Sequence, residues 1–171
     1  MSDEEIQGRR VSLVPLGVEH ADELAGLLED AFVRDALGVG DVEGLRRRFA
    51  AWESRRSPDG DERWLNWVVR ERADGRAVGW VQATVRGATA DIAYALLAAE
   101  RGRGAASDAV RTMIAWLRAE LGVTDLTASI APGNLASAHV ARAVGLEPTD
   151  GRDAGEVIWV AKPGHVARRQ T

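Results

Sequence analysis

Cysteine is missing from the 171-residue sequence, and histidine is scarce. The absence of cysteine excludes disulfide bonds, thiolate metal sites and a cysteine nucleophile. The three histidines, His20, His139 and His165, lie far apart in the sequence and form no ligand pair, so we predict no metal site. The sequence also lacks a long apolar run and a signal-peptide pattern, from which we expect a cytoplasmic protein with no membrane partner.

Lysine is nearly absent as well, since Lys162 is the only one and almost every basic residue is arginine. The net charge is −4 and the isoelectric point is about 5.4, which argues against a nucleic-acid partner. Arginine clusters at 46–48 and 55–56 are explained more simply as the solvated face of a helix between Asp41 and Arg56.

The composition is that of an ordinary globular protein. Hydrophobic residues make up 46% of the sequence and charged residues 28%. A length of 171 residues fits one domain with an adequate core, so we predict a single domain over 1–171 with its core at about 6–162. We find no internal repeat and no linker that would divide it.

Apolar periodicity changes along the chain between helical and strand patterns. The first half predicts a strand at 10–16, helices at 19–30 and 42–53, and three antiparallel strands between 64 and 97. The second half predicts a helix from 106 to 121, a strand at 125–130, a short helix from Asn134 to Val144 and a closing hairpin between 146 and 160. Residues 1–7 are predicted to be loose, and the tail from Pro163 to be peripheral.

A glycine-rich turn joins the strand at 91–97 to the helix that follows it. Gly102 and Gly104 allow backbone conformations and a close approach that side chains would block. The free N–H groups and the positive end of the next helix would then form a cradle for a phosphate or pyrophosphate. Two arginines add positive charge and two small residues keep the approach open: Arg101, Arg103, Ala105 and Ala106.

Other phosphate-binding motifs fit this turn less well. A P-loop ends in Gly-Lys-Ser/Thr, which the sequence lacks, and a Rossmann fingerprint needs a third Gly or Ala where Ser107 stands. The Rossmann turn also belongs to a first βαβ unit, whereas this one follows antiparallel strands past the middle of the chain. A plain glycine-rich loop stays open as the alternative.

Two blocks of sequence resemble the GNAT N-acyltransferases. The turn matches their acetyl-CoA-binding signature, Gln/Arg-x-x-Gly-x-Gly/Ala, with Arg101, Gly104 and Ala106 at the signature positions. The run at 131–146 is similar to their Asn-x-x-Ser…Gly-Phe block. The similarity covers about 6–162 and is greatest to the branch of ribosomal-protein N-terminal acetyltransferases (the Rim type), as two further segments indicate: 8–16 and 92–94.

The resemblance implies an α/β (α+β) fold, with a central mixed, mostly antiparallel sheet of six to seven twisted strands flanked by about four helices. It implies an acetyl-CoA-dependent N-acetyltransferase that moves the acetyl group from the CoA thioester directly to a primary amine in a ternary complex. The acceptor would be a small molecule or a protein N-terminus, and a homodimer is possible in this family. A non-catalytic acyl-CoA-binding or sensing domain is the alternative.

The resemblance also assigns the residues that would bind acetyl-CoA. In the family, strands beside the cofactor splay apart, so that main-chain groups pair with the pantetheine arm. Asn134 could pair with the pantetheine arm, cap its own helix, or do both. The expected cofactor-binding residues are Leu96, Leu97, Arg101, Gly102, Arg103, Gly104, Ala105, Ala106, Asn134 and Ser137.

The catalytic acid and base are less clearly marked. Many family members use a tyrosine four residues before the glycine of the second block, and Ala141 stands there instead. Ser137 could lie near the cofactor sulfur or only cap its helix. Asp91 and Tyr94 are the first candidates for the base. Alternatively, Asp91 is only a solvated turn residue and Tyr94 only a core residue. Two further candidates follow them: Glu156 and His139.

Overall fold

The computed structural model of the protein describes residues 4–161. The predictions for Lys162, His165 and the tail from Pro163 lie outside these residues. The strands are β1 (Ile6–Gln7), β2 (Val11–Pro15), β3 (Arg63–Glu71), β4 (Ala77–Arg86), β5 (Thr89–Leu96), β6 (Asp125–Ile130), β7 (Leu146–Asp153) and β8 (Glu156–Ala161). The α-helices are α1 (Ala31–Leu37), α2 (Val42–Trp52), α3 (Ala105–Leu121) and α4 (Leu135–Ala143).

All eight strands belong to one sheet, in the order β1-β2-β3-β4-β5-β6-β8-β7. Neighbouring strands are antiparallel except β5 and β6, which are parallel because α3 crosses between them. The predicted fold class, a mixed and mostly antiparallel sheet flanked by about four helices, is therefore confirmed. The strand count is slightly higher than the predicted six to seven.

The additional strand is β1, a segment that we expected to be loose. Ile6 pairs with Leu13 and Gln7 with Ser12, so β1 forms an antiparallel edge beside β2. A strand of two residues has no alternating pattern that could reveal it in the sequence. β1 can be recognised only from its pairing with β2.

Alternation along the strands buries both faces of the sheet. On β3, Leu65, Trp67 and Val69 join the larger apolar cluster, which includes the buried side of α3. Val68 points to the opposite face, where it joins a second cluster with residues of α1 and α2. The sheet is thus a middle layer with helices on both sides, and its interior strands carry apolar residues in nearly continuous runs.

The predicted helix at 19–30 is wrong in type, although Ala21, Leu24 and Leu27 are buried. The segment forms two short 3-10 helices, Val18–His20 and Ala25–Glu29, and α1 then begins at Ala31. Asp30 ends the second of them and caps α1, because its side chain accepts a hydrogen bond of 2.8 Å from the N–H of Phe32. Gly26 within the segment also disfavours a continuous α-helix.

The other helices begin and end close to where the sequence signals them, but α2 ends at Trp52, so the arginines at 55–56 lie outside the helix to which we assigned them. Asp41 accepts a hydrogen bond of 2.7 Å from the N–H of Gly44 and begins α2. Gly122, with φ of 64°, ends α3 in the left-handed conformation that favours glycine. The Asn134 side chain accepts a hydrogen bond of 3.2 Å from the N–H of Ser137 and begins α4.

The two parallel strands separate toward their carboxyl ends. Residues 89–91 of β5 pair with 125–127 of β6, and the register goes no further. Beyond this point β5 leads into α3 and β6 leads into α4, so both helices begin at the same end of the sheet. The separation leaves a wedge between two strand edges, with two helix N-termini beside it.

Candidate functional site

A cavity of about 420 Å³ lies at this wedge. Its walls come from the separated parts of β5 and β6, the first turns of α3 and α4, and α1 on the opposite face of the sheet. The cavity therefore connects the glycine turn to the region beneath α1.

The glycine turn presents a row of unpaired amides. Gly102 and Gly104 have φ of 80° and 82°, and both line the cavity. The first bond into α3 runs from the N–H of Asp108 to the carbonyl of Gly104, at 3.1 Å. Within residues 4–161, the N–H groups of 102–107 have no hydrogen-bond acceptor, and α3 has no side-chain cap. Such amides at a helix N-terminus are suited to an anion.

Side chains leave this row of amides open. A Cβ built on Gly102 or Gly104 would meet no described atom within 4 Å. Ala106 and Ser107 line the cavity, whereas Ala105 is buried beneath the turn in the main core. Of the two small residues expected to keep the approach open, only Ala106 faces the cavity.

The two arginines of the turn differ in their surroundings. Arg101 lines the cavity, where its guanidinium donates a hydrogen bond to the carboxylate of Asp30. Burial alone would raise the pKa of Asp30, but the hydrogen bonds from Arg101 and the N–H of Phe32 outweigh it and hold this pKa below its ordinary value. Arg103 is exposed and does not line the cavity. The positive charge expected from the arginines is thus partly neutralised within the protein.

The edge of β5 determines which main-chain groups face the wedge. The N–H of Leu97 donates to the carbonyl of Val78 on β4, at 2.9 Å. Because an antiparallel ladder alternates, the main-chain groups of Tyr94 and Leu96 then point to the other side, toward β6. Leu97, which we predicted to face the cofactor, uses its amide within the sheet and does not line the cavity. Leu96, which we also predicted to face the cofactor, lines the cavity, and so does Tyr94.

The first turn of α4 contributes Asn134 and Ser137 to the cavity. The Asn134 side chain caps the helix, so the hydroxyl of Ser137 is not needed for that task. Within the described part of the chain, no partner is found for the Ser137 hydroxyl. Tyr94 donates a hydrogen bond of 2.7 Å from its hydroxyl to the carbonyl of Ser137, which ties β5 to α4.

The geometry separates the candidates for the base. Burial raises the pKa of Tyr94, so the phenol stays protonated at neutral pH and acts as a donor to Ser137. Asp91 does not line the cavity, and its carboxylate accepts a hydrogen bond of 2.9 Å from Thr127. Neighbouring strands desolvate Asp91 in part, which raises its pKa despite this hydrogen bond.

Glu156 at the start of β8 does line the cavity. Burial raises the pKa of Glu156 above its ordinary value, and the negative charges of Asp153 and Asp91 raise it further. His139 also lines the cavity but is exposed on α4. Glu156 thus joins access to the cavity with a pKa shifted toward neutrality, which favours it as the base.

The sequence did not identify the wall of the cavity beneath α1. This wall is formed by Asp30, Phe32 and Val33, with Trp80 of β4 beside them. Trp80 stacks on Trp52 of α2, with ring centroids 5.6 Å apart and planes within 1°. The alternation of side chains along the strands could have placed Trp80 on the same face of the sheet as Val68. The wall formed by α1 could not have been predicted, because the sequence did not predict that helix.

No group of three or more potential metal ligands occurs among the described residues. No helix in residues 4–161 is both long enough and apolar enough to cross a membrane.

Residues 10–147 match the protein family described as Acetyltransferase (GNAT) domain. Among curated proteins, the chain is 30% identical over 151 residues to the "Probable N-acetyltransferase YjcK" of Bacillus subtilis (strain 168), covering 82% of each chain. The family match extends over both the glycine turn and the block at 131–146.

Solved structures share the fold. The ribosomal-protein-S5-alanine acetyltransferase of Vibrio fischeri is 18% identical with a TM-score of 0.68, covering 94% of this chain and 96% of that one. The aminoglycoside acetyltransferase AAC(6')-Ib, in a complex with paromomycin and acetyl-CoA, is 16% identical with a TM-score of 0.73. That match covers 95% of this chain and 98% of the other.

Proposed function

Since the chain belongs to the GNAT acetyltransferase family, we propose that it transfers the acetyl group of acetyl-CoA directly to a primary amine within a ternary complex. The observation that carries the proposal is the row of unpaired amides at 102–107, since four of its residues line the same cavity as the edge of β5: Gly102, Gly104, Ala106 and Ser107. An anion cradle and a strand edge side by side suit a ligand with a pyrophosphate at one end and amides along its length.

The residues of the cavity suit two parts of acetyl-CoA, the pyrophosphate and the pantetheine arm. The amides at 102–107 would bind the pyrophosphate without a metal ion, as the start of α3 also carries the positive end of the helix dipole. The main-chain groups of Tyr94 and Leu96 would pair with the pantetheine amides in the wedge. The side chain of Asn134 lines the same cavity and can add a hydrogen bond there.

Acetyl-CoA supplies the acetyl group as a thioester, and the protein must position the amine and handle two protons. As the C–N bond forms and the C–S bond breaks, Glu156 accepts the amine proton, directly or through a water. The thiolate gains a proton from Ser137 or from solvent, since Ala141 offers no hydroxyl. Proximity in the cavity supplies a further part of the rate enhancement.

The surroundings of the cavity favour a cationic acceptor. Glu156 lies near the charges of Asp91 and Asp153. Carboxylates at the mouth of a cleft raise the local concentration of cations and stabilise an amine before it loses its proton. Phe32 and Val33 provide an apolar wall for the group that carries the amine. Protein N-termini, amino acids, polyamines and aminoglycosides all fit this description.

Calorimetry with acetyl-CoA and an assay of thiol release test the proposal. Thiol release should depend on the amine when a panel of these four acceptor classes is supplied. A second candidate, a non-catalytic acyl-CoA-binding domain, is favoured by Ala141 at the position of the usual acid. Binding of acetyl-CoA without amine-dependent turnover for any acceptor would favour that candidate. Absence of any heat of binding would remove both.

Gly104→Ala tests the anion cradle itself. With φ of 82°, Gly104 has a conformation that alanine adopts at a cost of roughly 1–2 kcal/mol, and a Cβ would also stand on the wall of the cradle. We expect the Kd for acetyl-CoA to rise about tenfold or more. Gly87→Ala is the matched control, because Gly87 has φ of 58°, equally open space and no place in the cavity. An unchanged Kd for Gly104→Ala would contradict the cradle.

A further inference from the structure

Arg10 does not line the cavity, yet its guanidinium reaches the glycine turn. One end of the guanidinium donates a hydrogen bond to the carbonyl of Arg103. Its Nε donates to Oε1 of Glu71 on β3, at 2.8 Å. Arg10 thus links the turn to the sheet. We propose that Arg10 is a positioning residue that, by holding the Arg103 carbonyl, directs the N–H of Gly104 into the cavity toward the pyrophosphate.

The geometry of the peptide group carries the first step. A trans peptide is planar, and its C=O and N–H point in opposite directions. The carbonyl of Arg103 and the N–H of Gly104 belong to the same peptide group. Because this carbonyl points to Arg10, the N–H of Gly104 must point away from Arg10. Gly104 lines the cavity, and its N–H is one of the unpaired amides of the turn.

The position of the glycines explains why this peptide needs an external partner. Arg103 lies between Gly102 and Gly104, and both glycines have positive φ. Glycine permits several backbone conformations at little cost, so the peptide that joins Arg103 to Gly104 can rotate, with Gly104 adopting a different φ, and turn its N–H away from the cavity. A hydrogen bond from a fixed side chain selects one orientation. Arg10 supplies that bond from outside the turn.

Arg10 is itself fixed against the helix that forms the cradle. Asp108 in the first turn of α3 accepts hydrogen bonds from the N–H groups of Arg10 and Val11, at 2.9 and 3.1 Å. Gly8 packs so closely on α3 that an added Cβ would lie 2.6 Å from the hydroxyl oxygen of Thr112. The segment between β1 and β2 therefore moves with α3, and the reach of Arg10 to the turn stays constant.

Calorimetry with coenzyme A tests the inference, which rests on the proposed function because it takes acetyl-CoA as the ligand of the turn. Arg10→Ala should weaken CoA binding about tenfold, the effect of one lost hydrogen bond that orders a binding group. Arg9→Ala is the matched control, since it removes the same charge from an exposed neighbour. Its Kd should stay within about twofold of the wild-type value.

A truncated donor separates positioning from general destabilisation. S-acetylpantetheine lacks the pyrophosphate, so Arg10→Ala should leave its kcat/KM unchanged while that for acetyl-CoA falls. Equal Kd values for Arg10→Ala and Arg9→Ala would overturn the inference, and so would an equal loss with both donors. If Arg10→Ala does not fold, Arg10→Lys serves instead, because a single ammonium cannot bridge Glu71 and the Arg103 carbonyl as a guanidinium does. Arg10→Lys should bind CoA more weakly than Arg9→Lys, and equal affinities would again overturn the inference.

Failure of the proposed function would be distinguishable from failure of this inference. If the wild-type protein binds CoA but shows no amine-dependent turnover, the transferase proposal fails. The Kd values for CoA and for pantetheine would then still decide the role of Arg10. If the wild-type protein does not bind CoA at all, both fail together.

Discussion

At the scale of the residue, the role of Glu156 depends on its neighbours more than on its identity. A solvated carboxylate is a poor base for an ammonium group, because its pKa lies far below neutral pH. Burial beside the cavity and the charges of Asp153 and Asp91 raise the pKa of Glu156 and bring it closer to the working range. Asp91 has a raised pKa too, but it stands outside the cavity.

Replacing Glu156 with glutamine should lower kcat about a hundredfold, the lower part of the usual range for a lost general base. Glutamine keeps the shape and the hydrogen-bonding oxygen but cannot accept the proton. The KM for acetyl-CoA should stay constant, because Glu156 makes no contact with acetyl-CoA in the proposed complex. Steady-state kinetics with both substrates varied would measure this, and an unchanged kcat would exclude Glu156 as the base.

Replacing Asp153 with asparagine should shift the pH profile of kcat. A base works when deprotonated, so activity is present above the pKa of Glu156 and is lost as the pH falls through it. Removing the negative charge of Asp153 lowers that pKa, and the acidic limb should therefore move to lower pH. Asp150→Asn is the control, because it removes the same charge from an exposed position of the same hairpin. A shift in the opposite direction, or an equal shift in the control, would contradict this role.

The residue scale also shows what a sequence can reveal about a site. The glycine turn is local, so Gly102 and Gly104 could be identified from their spacing and from family resemblance alone. Glu156 could only be named as a secondary candidate. Its place at the cavity depends on β8 lying next to β6, in the strand order β6-β8-β7, which no local pattern specifies.

At the scale of the element, Tyr94 joins β5 to α4 through the carbonyl of Ser137. This bond fixes the first turn of α4, which carries Asn134 and Ser137 into the cavity. Tyr94 was one of our candidates for the base, and the raised pKa of its buried phenol indicates a structural donor instead. Tyr94 thus matters because it holds α4 in place and not because of the acidity of its phenol.

Replacing Tyr94 with phenylalanine distinguishes the two roles. The loss of one hydrogen bond should reduce the free energy of unfolding by about 1 kcal/mol. As a donor rather than a base, Tyr94 should affect kcat by less than tenfold, with no change in the shape of the pH profile. Denaturant unfolding and pH-dependent kinetics would measure both effects. A loss of kcat comparable to that of Glu156→Gln would restore Tyr94 as a candidate base.

Elements differed in how well their sequences predicted them. Helix α3 was clear because its apolar period runs without interruption and Gly122 ends it. The segment at 19–30 shows the same spacing of apolar residues, yet forms 3-10 helices, because tertiary packing can bury such residues without a continuous α-helix. Periodicity predicts which residues are buried, and caps such as Asp30 determine where a helix begins.

At the scale of the whole molecule, the cavity lies where the two halves of the sheet separate and draws on both faces. Asp30 and Arg101 both line it and form an ion pair, which links the cap of α1 to the glycine turn. The cofactor side is built of backbone amides beside Arg103 and the paired Arg101, whereas Glu156 on the other side lies near two more carboxylates, those of Asp91 and Asp153. The net charge of −4 also favours the approach of a cationic ligand from solution.

The asymmetry predicts how salt affects the choice of acceptor. The carboxylates of Asp91 and Asp153 near Glu156 would attract a polyamine through water, and ions screen this attraction over roughly 10 Å at 0.1 M salt. We therefore expect kcat/KM for a polycationic acceptor to fall severalfold between about 0.05 and 0.5 M salt, and kcat/KM for a monoamine with the same reactive group to fall less. If kcat/KM falls equally with salt for the two acceptors, the carboxylates near Glu156 do not select the substrate. The apolar wall at Phe32 and Val33 would then be the remaining determinant of which amine is used.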